Sequence, residues 1–344
     1  MWPAEARPLH LPSRGYGPEA SVTGVWTLET KRPRDNNDRL SSLPERDRRY
    51  AMRFLFFITI VVLCCEASQL VAQELSDAQL KELMRVYYRD FAEDLKFMLD
   101  EDKEPLETPD KPVLTWWSAE GVSFSSGDVF VWERHGRPEL IACIGSSASH
   151  LGPAFRNYFQ EYHLLGERTV QPTQLKTLGR WMPRDGIKLR PALAASKPKK
   201  SARLRLAQMR GIARSDFKSF MKYDGEKDEE PLRIMSQPFY RYDAEALAEH
   251  QDKVVDGALF AFISSAGTDP ELILLLECHN VDGKLQWMYA PIRFTHRKLR
   301  LEHQGKSAWA VERWDSSPSD AYIVGNIESR RLADVLERFR DRLK

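Results

Sequence analysis

The sequence predicts an α+β protein: an antiparallel β-sheet in two lobes, with helices at the N-terminal end of the folded region, in the middle and at the C-terminus. Three observations lead to this prediction. Apolar residues recur at helical spacing in three separate segments. The regions between them hold short apolar or alternating runs bounded by turn residues, as antiparallel strands do. One pattern of apolar strand, turn and apolar strand occurs twice, which is consistent with duplicated lobes.

The beginning of the chain is predicted to lie outside the folded domain. Residues 1–51 are rich in proline and charge and lack apolar periodicity, which is typical of a disordered or untranslated extension. Residues 52–72 have a basic start, an apolar run from Phe54 to Cys65 and small residues before Gln73, the pattern of a signal peptide. The apolar run is shorter than the about 20 residues of a membrane span. We therefore expect an exported protein, periplasmic or secreted; the alternative is a membrane anchor formed by residues 54–72.

Charge balance bears on the class of partner. The chain of 344 residues has 51 lysines and arginines against 50 aspartates and glutamates, a formal net charge of +1. A balanced charge argues against a protein that coats nucleic acid, and export argues against it too. We expect no nucleic-acid partner, and contact with a membrane only if the signal segment stays uncleaved.

Two cysteines, Cys143 and Cys278, remain once the signal peptide is removed. An oxidising compartment would allow a disulfide between them. The alternative is two buried free thiols, since each lies at the end of an apolar strand and pairing geometry cannot be read from a sequence. No Cys-x-x-Cys motif is present, which excludes a zinc ribbon or a thioredoxin-type site. The sequence predicts no cofactor and no metal.

The first predicted lobe, with its N-terminal helix, covers residues 73–186. Ser76 and Gln79 form a capping-box pattern at the start of a helix predicted over 76–100, and apolar residues follow at helical spacing. Strands are predicted over 113–117, 128–133, 139–144 and 155–165.

A basic segment of proline, lysine and alanine, residues 187–200, is predicted to be a linker. The second predicted lobe, residues 201–344, begins with a helix over 201–220. Its two apolar strands, 258–263 and 271–276, have no polar face, which predicts central positions covered on both sides. Further predictions are a short helix over 243–253, strands over 284–291, 293–301 and 308–314, and a C-terminal helix over 329–343.

The pattern that occurs twice can be aligned residue by residue. Val129-Phe130-Val131-Trp132, a turn and Pro138-Glu139-Leu140-Ile141 match Leu259-Phe260-Ala261-Phe262, a turn and Pro270-Glu271-Leu272-Ile273. A duplicated lobe explains the match; two hairpins with common turn residues are the alternative. In and around these segments the chain resembles a group of exported proteins of planctomycete bacteria that have no assigned activity, over most of residues 110–310. The resemblance implies export and a shared fold, and it implies no functional residue.

The candidates for a catalytic site are three histidines and one carboxylate. Glu161 and His163 are two residues apart on a predicted strand and would share a face. His279 ends a buried strand and His296 lies further along the chain, so only tertiary contact could bring the four together. No local metal-ligand spacing such as His-x-x-x-His is present. The alternative is that each histidine is solvated or singly hydrogen-bonded.

The candidates for a ligand-binding surface are basic and aromatic side chains. They are Lys197, Lys199, Lys200, Arg203, Trp287 and Trp314. The basic residues belong to a stretch without an acid, which could dock an anionic polymer. The tryptophans could stack on sugar rings from a β-scaffold. The alternatives are a solvated linker and tryptophans that belong to the core.

These observations favour a non-catalytic exported protein that has a binding or structural role in the periplasm or cell envelope. Its expected partner is an anionic envelope polymer or another envelope protein. One alternative is a hydrolase that acts on an envelope polymer, and another is a membrane-tethered interaction protein. A hydrolase should bring several of the four catalytic candidates into one cleft. A binding protein should leave them scattered and present an aromatic or basic surface.

Overall fold

The computed structural model describes residues 76–100, 103–118, 125–152, 154–173, 181–193, 196–250, 253–325 and 328–343. The predicted extension and signal peptide lie outside the described residues. Within these ranges, no helix is long and apolar enough to cross a membrane. The predicted fold class is confirmed, because the structure combines antiparallel sheets with helices in the N-terminal, middle and C-terminal regions.

The first half of the described chain begins with a capped helix. It comprises helix α1 (Asp77–Asp94) and strands β1 (Phe97–Leu99), β2 (Leu114–Trp117), β3 (Ser126–Arg134), β4 (Arg137–Ala148), β5 (Phe155–Leu164), β6 (Val170–Pro172) and β7 (Arg190–Pro191). The predicted capping box is present: the Gln79 amide donates to Ser76 Oγ at 3.3 Å, and the Ser76 amide donates to Gln79 Oε1 at 2.9 Å. The helix ends earlier than predicted because Leu95, Phe97 and Leu99 are buried at a spacing of two, as strand residues are.

The second half of the described chain has more strands than helices. It comprises α2 (Ala202–Ser215), β8 (Phe217–Lys222), β9 (Glu230–Ile234), β10 (Tyr240–Arg241), α3 (Ala244–Glu249), β11 (Val254–Ile263), β12 (Pro270–Val281), β13 (Lys284–Arg293), β14 (Lys298–His303), β15 (Lys306–Val311), β16 (Tyr322–Val324), β17 (Glu328–Arg331), α4 (Leu332–Phe339) and a final 3₁₀ turn (Arg340–Leu343). The predicted helix over 201–220 therefore ends at Ser215, and the helix predicted from 329 is preceded by a strand.

The strands form two large antiparallel sheets. Sheet I has the order β16–β5–β4–β3–β2, and β17 also pairs with β5. Sheet II has the order β15–β14–β8–β9–β11–β12–β13–β7, and β10 also pairs with β11. Strands β1 and β6 form a separate two-stranded ribbon. As predicted, the two apolar strands, β11 and β12, lie inside sheet II rather than at its edges.

Three hydrophobic clusters divide the fold into layers. One cluster joins α1 and α4 to the outer face of sheet I, for example through Phe130. A second lies between the sheets, where Val129 and Ile141 of sheet I share a cluster with Leu259 and Ile273 of sheet II. A third joins α2 to the other face of sheet II. The order of layers is therefore helices, sheet I, sheet II, helix.

The sequence match between the two hairpins holds in three dimensions. Phe130 on β3 and Phe260 on β11 both point to the helix that covers their own sheet. Their neighbours Val129 and Leu259 both point into the layer between the sheets. The two hairpins thus have the same facing relative to their covering helices. Duplication of a lobe stays a prediction.

The boundaries predicted for the two lobes need correction. Residues 187–200 are not only a linker, because Arg190 and Pro191 form β7 and pair with β13. The C-terminal segment does not belong to the second lobe. Its strands β16 and β17 pair with β5, and α4 packs beside α1 in the sheet I layer. The chain returns to sheet I because the edge of β5 offers unpaired backbone groups that these strands satisfy.

Sheet II curls around α2. The cluster that contains Met209 and Ile212 of α2 includes residues from strands across the width of the sheet. The two ends of the sheet come close enough for the Arg190 guanidinium on β7 to donate to the Ala308 carbonyl on β15. The sheet therefore almost closes on itself, and side-chain hydrogen bonds replace strand pairing at the remaining seam.

Both cysteines are buried free thiols. Cys143 lies in the layer between the sheets, where it accepts a hydrogen bond from Trp116 Nε1 at 3.2 Å. Cys278 lies on the α2 side of sheet II. The two cysteines do not form a disulfide, because their side chains point into different layers. Burial raises the pKa of each thiol.

Two glycines should respond in opposite ways to the same substitution. A Cβ on Gly257 would lie 2.5 Å from Tyr242 Cε2, so we expect Gly257→Ala to lower the free energy of unfolding by about 1–3 kcal/mol. Gly211 is exposed within α2 and its Cβ would meet nothing within 4 Å, so Gly211→Ala should raise it by about 1 kcal/mol. Urea unfolding of both variants tests this; a change of the same sign in both would contradict the packing described for Gly257.

Candidate functional site

A cleft of about 400 Å³ opens at the seam of sheet II, where it meets sheet I. We call it the seam cleft. Its principal side chains are His163, Arg190, Arg293, Trp309, Trp314 and Tyr322. They come from β5, β7, β13, β15, β16 and the segment after β15, so the cleft exists only because the sheet curls and the C-terminal segment returns to sheet I.

Two polar donors at the seam cleft have no hydrogen-bond partner among the described residues. They are Arg293 Nε and Trp314 Nε1, and both atoms are buried. Nη2 of the same guanidinium is engaged, because it donates to the backbone carbonyls of Arg297 and Glu312. An unpaired buried donor typically costs about 1–3 kcal/mol. Such groups are uncommon in folded proteins and mark places where a ligand acceptor would be stabilising.

His163 presents a neutral imidazole to the cleft. It is 7% exposed, and burial lowers the pKa of His163 to about 4. Its Nδ1 lies 2.6 Å from the Leu164 carbonyl oxygen. A carbonyl can only accept, so Nδ1 carries the proton and Nε2 is the acceptor of the ring. His163 therefore adds no charge to the cleft at neutral pH.

Glu161 lies behind the cleft rather than in it. As predicted for residues two apart on a strand, Glu161 and His163 share a face, and Tyr322 bridges them. The Tyr322 hydroxyl donates to Glu161 Oε2 at 2.6 Å, and its ring centroid lies 6.0 Å from that of His163. Burial raises the pKa of Glu161 to about 8, against the hydrogen bond from Tyr322. At neutral pH the carboxyl is mostly protonated.

Two further buried carboxyl groups interact with Glu161. Burial and the neighbouring carboxylates raise the pKa of Asp269 well above its usual range. Burial also raises the pKa of Glu271, whose nearest cation is Arg297, with Nη1 3.7 Å from Oε1. These groups are stabilised in the neutral form, because charging them together inside the protein is unfavourable. In the part of the chain that the structure describes, no group of three or more acidic, histidine or cysteine side chains could hold a metal ion.

His279 belongs to a different, structural network. Its Nε2 lies 2.6 Å from Glu277 Oε2, and Tyr242 donates to the other oxygen of that carboxylate at 2.8 Å. Arg137 from sheet I completes the network with Nε 3.1 Å from Glu277 Oε1. Burial alone would raise the pKa of Glu277, but Arg137 and these hydrogen bonds lower it to about 2. The contact between Arg137 and Glu277 joins the two sheets. His279, Glu277, Tyr242 and Arg137 do not line the seam cleft.

The structure does not unite the four catalytic candidates. Only His163 lines the seam cleft, while Glu161 reaches it through Tyr322. His296 is near through its backbone, since its carbonyl accepts from the Trp314 amide at 2.8 Å, but its side chain does not line the cleft. Burial lowers the pKa of His296 and nearby arginines lower it further. Among the described residues that line the cleft there is no serine, threonine or cysteine that His163 could activate as a nucleophile.

The ligand-binding candidates also divide. Trp314 lines the seam cleft, as a binding role requires, whereas Trp287 is 2% exposed and packs in the α2 cluster. The Trp287 indole donates to the Ser196 carbonyl at 2.9 Å, which fixes the segment before α2. Trp287 is therefore a core residue.

The four basic candidates do not line the seam cleft. Lys197, Lys199 and Lys200 serve the start of α2 through their backbone: Gln208 Nε2 donates to the Lys197 carbonyl at 2.9 Å, and Arg205 donates to the carbonyls of Lys199 and Lys200. Their side chains and that of Arg203 lie outside the cleft, mostly exposed.

Sequence reasoning did not select Arg293 or Tyr322. Neither has a local signal, because Arg293 ends an ordinary sheet strand and Tyr322 begins a three-residue strand. Their importance follows from contacts between segments far apart in the chain. Trp309 and Arg190 belong to residue types, aromatic and basic, that are frequent along the chain, so residue type alone does not single them out.

Protein-family models, curated proteins and solved structures were all compared with this chain, and none of them matches it.

Proposed function

We propose that this protein binds an anionic ligand in the seam cleft, without catalysis, as an exported protein of the periplasm or cell envelope. The observation that carries the proposal is the pair of buried, unpartnered donors, Arg293 Nε and Trp314 Nε1, at the wall of one cleft. An acceptor supplied by a ligand would relieve the cost of leaving them unpaired.

The charge of the cleft favours an anion. Among the described residues, Lys188, Arg190 and Arg293 line it, together with one carboxylate, Asp320. His163 stays neutral, so the cations are in excess at neutral pH. Cations along a concave surface raise the local concentration of anions and speed their association.

The distribution of acid–base groups favours binding over hydrolysis. Glycoside hydrolysis requires two carboxyl groups on opposite sides of the substrate. The buried carboxyls Glu161, Asp269 and Glu271 do not line the seam cleft, and Asp320 is the one carboxylate among its described lining residues. The remaining catalytic candidate at the cleft, His163, is a neutral acceptor, and the described lining residues include no serine, threonine or cysteine.

Export remains part of the proposal and rests on the sequence. The apolar run after a basic start, with small residues before the polar segment, is the pattern of a signal peptide. An anionic polymer or oligosaccharide of the envelope is the class of ligand that such a protein would meet.

Charge reversal at the rim of the cleft tests the proposal. Lys188 is exposed there, and we expect Lys188→Glu to weaken binding of anionic oligosaccharides about tenfold. Reversing a unit charge about 6 Å from an anion changes the Coulomb energy in water by about 1.4 kcal/mol. Isothermal titration calorimetry with oligosaccharides that bear carboxylate, sulfate or phosphate groups measures this, and the affinity should fall as salt is added.

Lys218→Glu is the matched control, because Lys218 is exposed on β8 and does not line the cleft. It makes the same change in net charge and should leave the affinity unchanged. Absence of binding to every oligosaccharide, or equal weakening by both substitutions, would contradict the proposed function.

A further inference from the structure

We infer that the ligand of the seam cleft is an acidic sugar, a hydroxylated ring whose carboxylate lies against Arg293 and Trp314. This inference rests on the proposed function and specifies its ligand. Three features support it: the two buried, unpaired donors, the acceptor nitrogen of His163 and the aromatic walls of the cleft.

Two buried donors of the cleft have no partner among the described residues, and they belong to different side chains. Arg293 Nη2 already donates to the carbonyls of Arg297 and Glu312, so the guanidinium cannot offer its side-on fork of Nε and Nη2 to an anion. Only the single Nε–H remains on that edge, and Trp314 supplies one more N–H. A carboxylate has two oxygens, one for each of these donors.

A phosphate fits this pair of donors less well. Its oxygens are three or more strong acceptors with a charge near −2, and sites that hold it commonly provide bidentate arginines or several backbone N–H groups. The fork formed by Nε and Nη2 of Arg293 is blocked, because Nη2 donates to backbone carbonyls, and Nη1 of Arg190 donates to the Ala308 carbonyl. The chemistry of the donors therefore favours a carboxylate over a phosphate.

The remaining polar group of the cleft is an acceptor. Because Nδ1 of His163 donates to the Leu164 carbonyl, Nε2 has a lone pair available. A carboxylate would be repelled by that lone pair, whereas a hydroxyl would donate to it. A ligand that satisfies both parts of the cleft carries a carboxylate and at least one hydroxyl.

Aromatic side chains give the cleft apolar walls. Trp309 is half-buried, packs against the α2 cluster and lines the cleft. Trp314 meets Tyr322 edge to face, with ring centroids 5.5 Å apart and planes at 81°. Aromatic faces of this kind pack against the C–H face of a sugar ring. The combination of carboxylate, hydroxyl and ring is the chemistry of a uronic acid.

Binding requires a small movement at the site. The two free nitrogens are buried in the ligand-free protein. Residues 315 to 318, which follow Trp314, are mostly exposed, and Trp314 itself is half-buried. A rotation of this side chain would turn its N–H toward the cleft without breaking a hydrogen bond of that N–H, and it would change the edge-to-face contact with Tyr322.

The test compares three trisaccharides that differ in charge chemistry. Trigalacturonic acid, neutral trigalactose and a sulfated galactose trisaccharide are titrated into the mature protein by isothermal titration calorimetry. We expect trigalacturonic acid to bind at least tenfold more tightly than the other two. Trp314→Phe removes the N–H and keeps an aromatic ring, so it should weaken trigalacturonate binding about tenfold. Trp117→Phe, outside the cleft on β2, is the matched control and should bind as the wild type does.

An NMR measurement on the wild type tests the same contact without a substitution. The indole ¹H–¹⁵N resonance of Trp314 should move downfield when trigalacturonic acid is added, because the N–H gains a charged acceptor. Binding of the sulfated trisaccharide alone, or equal binding of the neutral one, would overturn the acidic sugar and leave an anion or sugar site in place. A tight trigalacturonate complex with an unmoved Trp314 resonance would overturn the assigned contact. Failure of all three to bind, together with failure of the wider oligosaccharide set, would overturn the proposed function itself.

Discussion

Substitution of Arg137 by methionine is expected to destabilise the protein by about 3 kcal/mol. Arg137 starts β4 of sheet I, and its Nε lies 3.1 Å from Oε1 of Glu277 on β12 of sheet II. Glu277 is fully buried. Methionine fills similar space but leaves that carboxylate without its cation, and breaking a buried pair in this way typically costs about 3–5 kcal/mol. We take the lower end because His279 and Tyr242 still bind the carboxylate.

A double-mutant cycle separates the loss of the ion pair from the loss of packing. Glu277→Gln removes the charge but keeps an acceptor for Tyr242, so the Arg137→Met/Glu277→Gln variant should recover about 2 kcal/mol relative to the sum of the single changes. Urea unfolding of the four proteins measures the coupling. Arg338→Met, which breaks a surface contact of 2.7 Å to Asp90, is the control and should cost less than about 1 kcal/mol. Simple additivity of the two buried substitutions would show that the pair does not join the sheets energetically.

Stability is expected to fall as the pH rises from 6.5 to 8.5. Glu161 is 8% exposed, and burial raises its pKa from 4.5 to about 8 in the folded protein. A carboxyl group with a raised folded pKa contributes stability that is fully present below pH 4.5 and is lost as the pH rises through 8. Over the stated interval Glu161 alone should lower the free energy of unfolding by about 2 kcal/mol, since one pKa unit corresponds to about 1.4 kcal/mol.

The choice of pH interval avoids an opposing effect from His163. Its pKa falls from 6.5 to about 4 on folding, so its contribution is lost as the pH falls from 6.5 to 4. Above pH 6.5 this group no longer changes the balance. Asp269 and Glu271, whose pKa values are also raised by burial, act in the same direction as Glu161.

Glu161→Gln identifies the source of the slope. The amide keeps the shape and cannot ionise, so the decline between pH 6.5 and 8.5 should be smaller in the variant by the Glu161 share, about 2 kcal/mol. Glu312→Gln makes the same change in charge at an exposed residue and should keep the decline. Urea unfolding at a series of pH values gives the comparison. An undiminished slope in Glu161→Gln would show that this carboxyl is ionised in the folded protein at neutral pH.

Local sequence patterns predicted most of the helices and strands, but they misplaced some of the ends of these elements. The capping box of Ser76 and Gln79 placed the start of α1 correctly, because that signal is complete within four neighbouring residues. The predicted end of α1 was wrong, since Leu95, Phe97 and Leu99 fit both a continued helix and a short strand. Pairing of β1 with β6, which is distant in the chain, decides between the two.

The candidate site could be predicted only in part. Trp314 and His163 were selected from residue type and local spacing, and both line the seam cleft. Trp287 had the same residue type and proved to be core. Trp287 lies on β13 and packs in the α2 cluster, whereas Trp314 follows β15 and lines the seam cleft. No local pattern encodes which neighbours surround each ring.

By itself, the sequence determined the fold class, the central position of β11 and β12, and the match between two hairpins, because hydrophobic periodicity and turn residues act over short distances. The tertiary structure decided how these parts meet. The return of the C-terminal strands to β5, the curling of sheet II and the layer in which each cysteine lies depend on long-range pairing. The seam cleft is formed by segments from residue 163 to residue 322, so its chemistry exists only once the chain has folded.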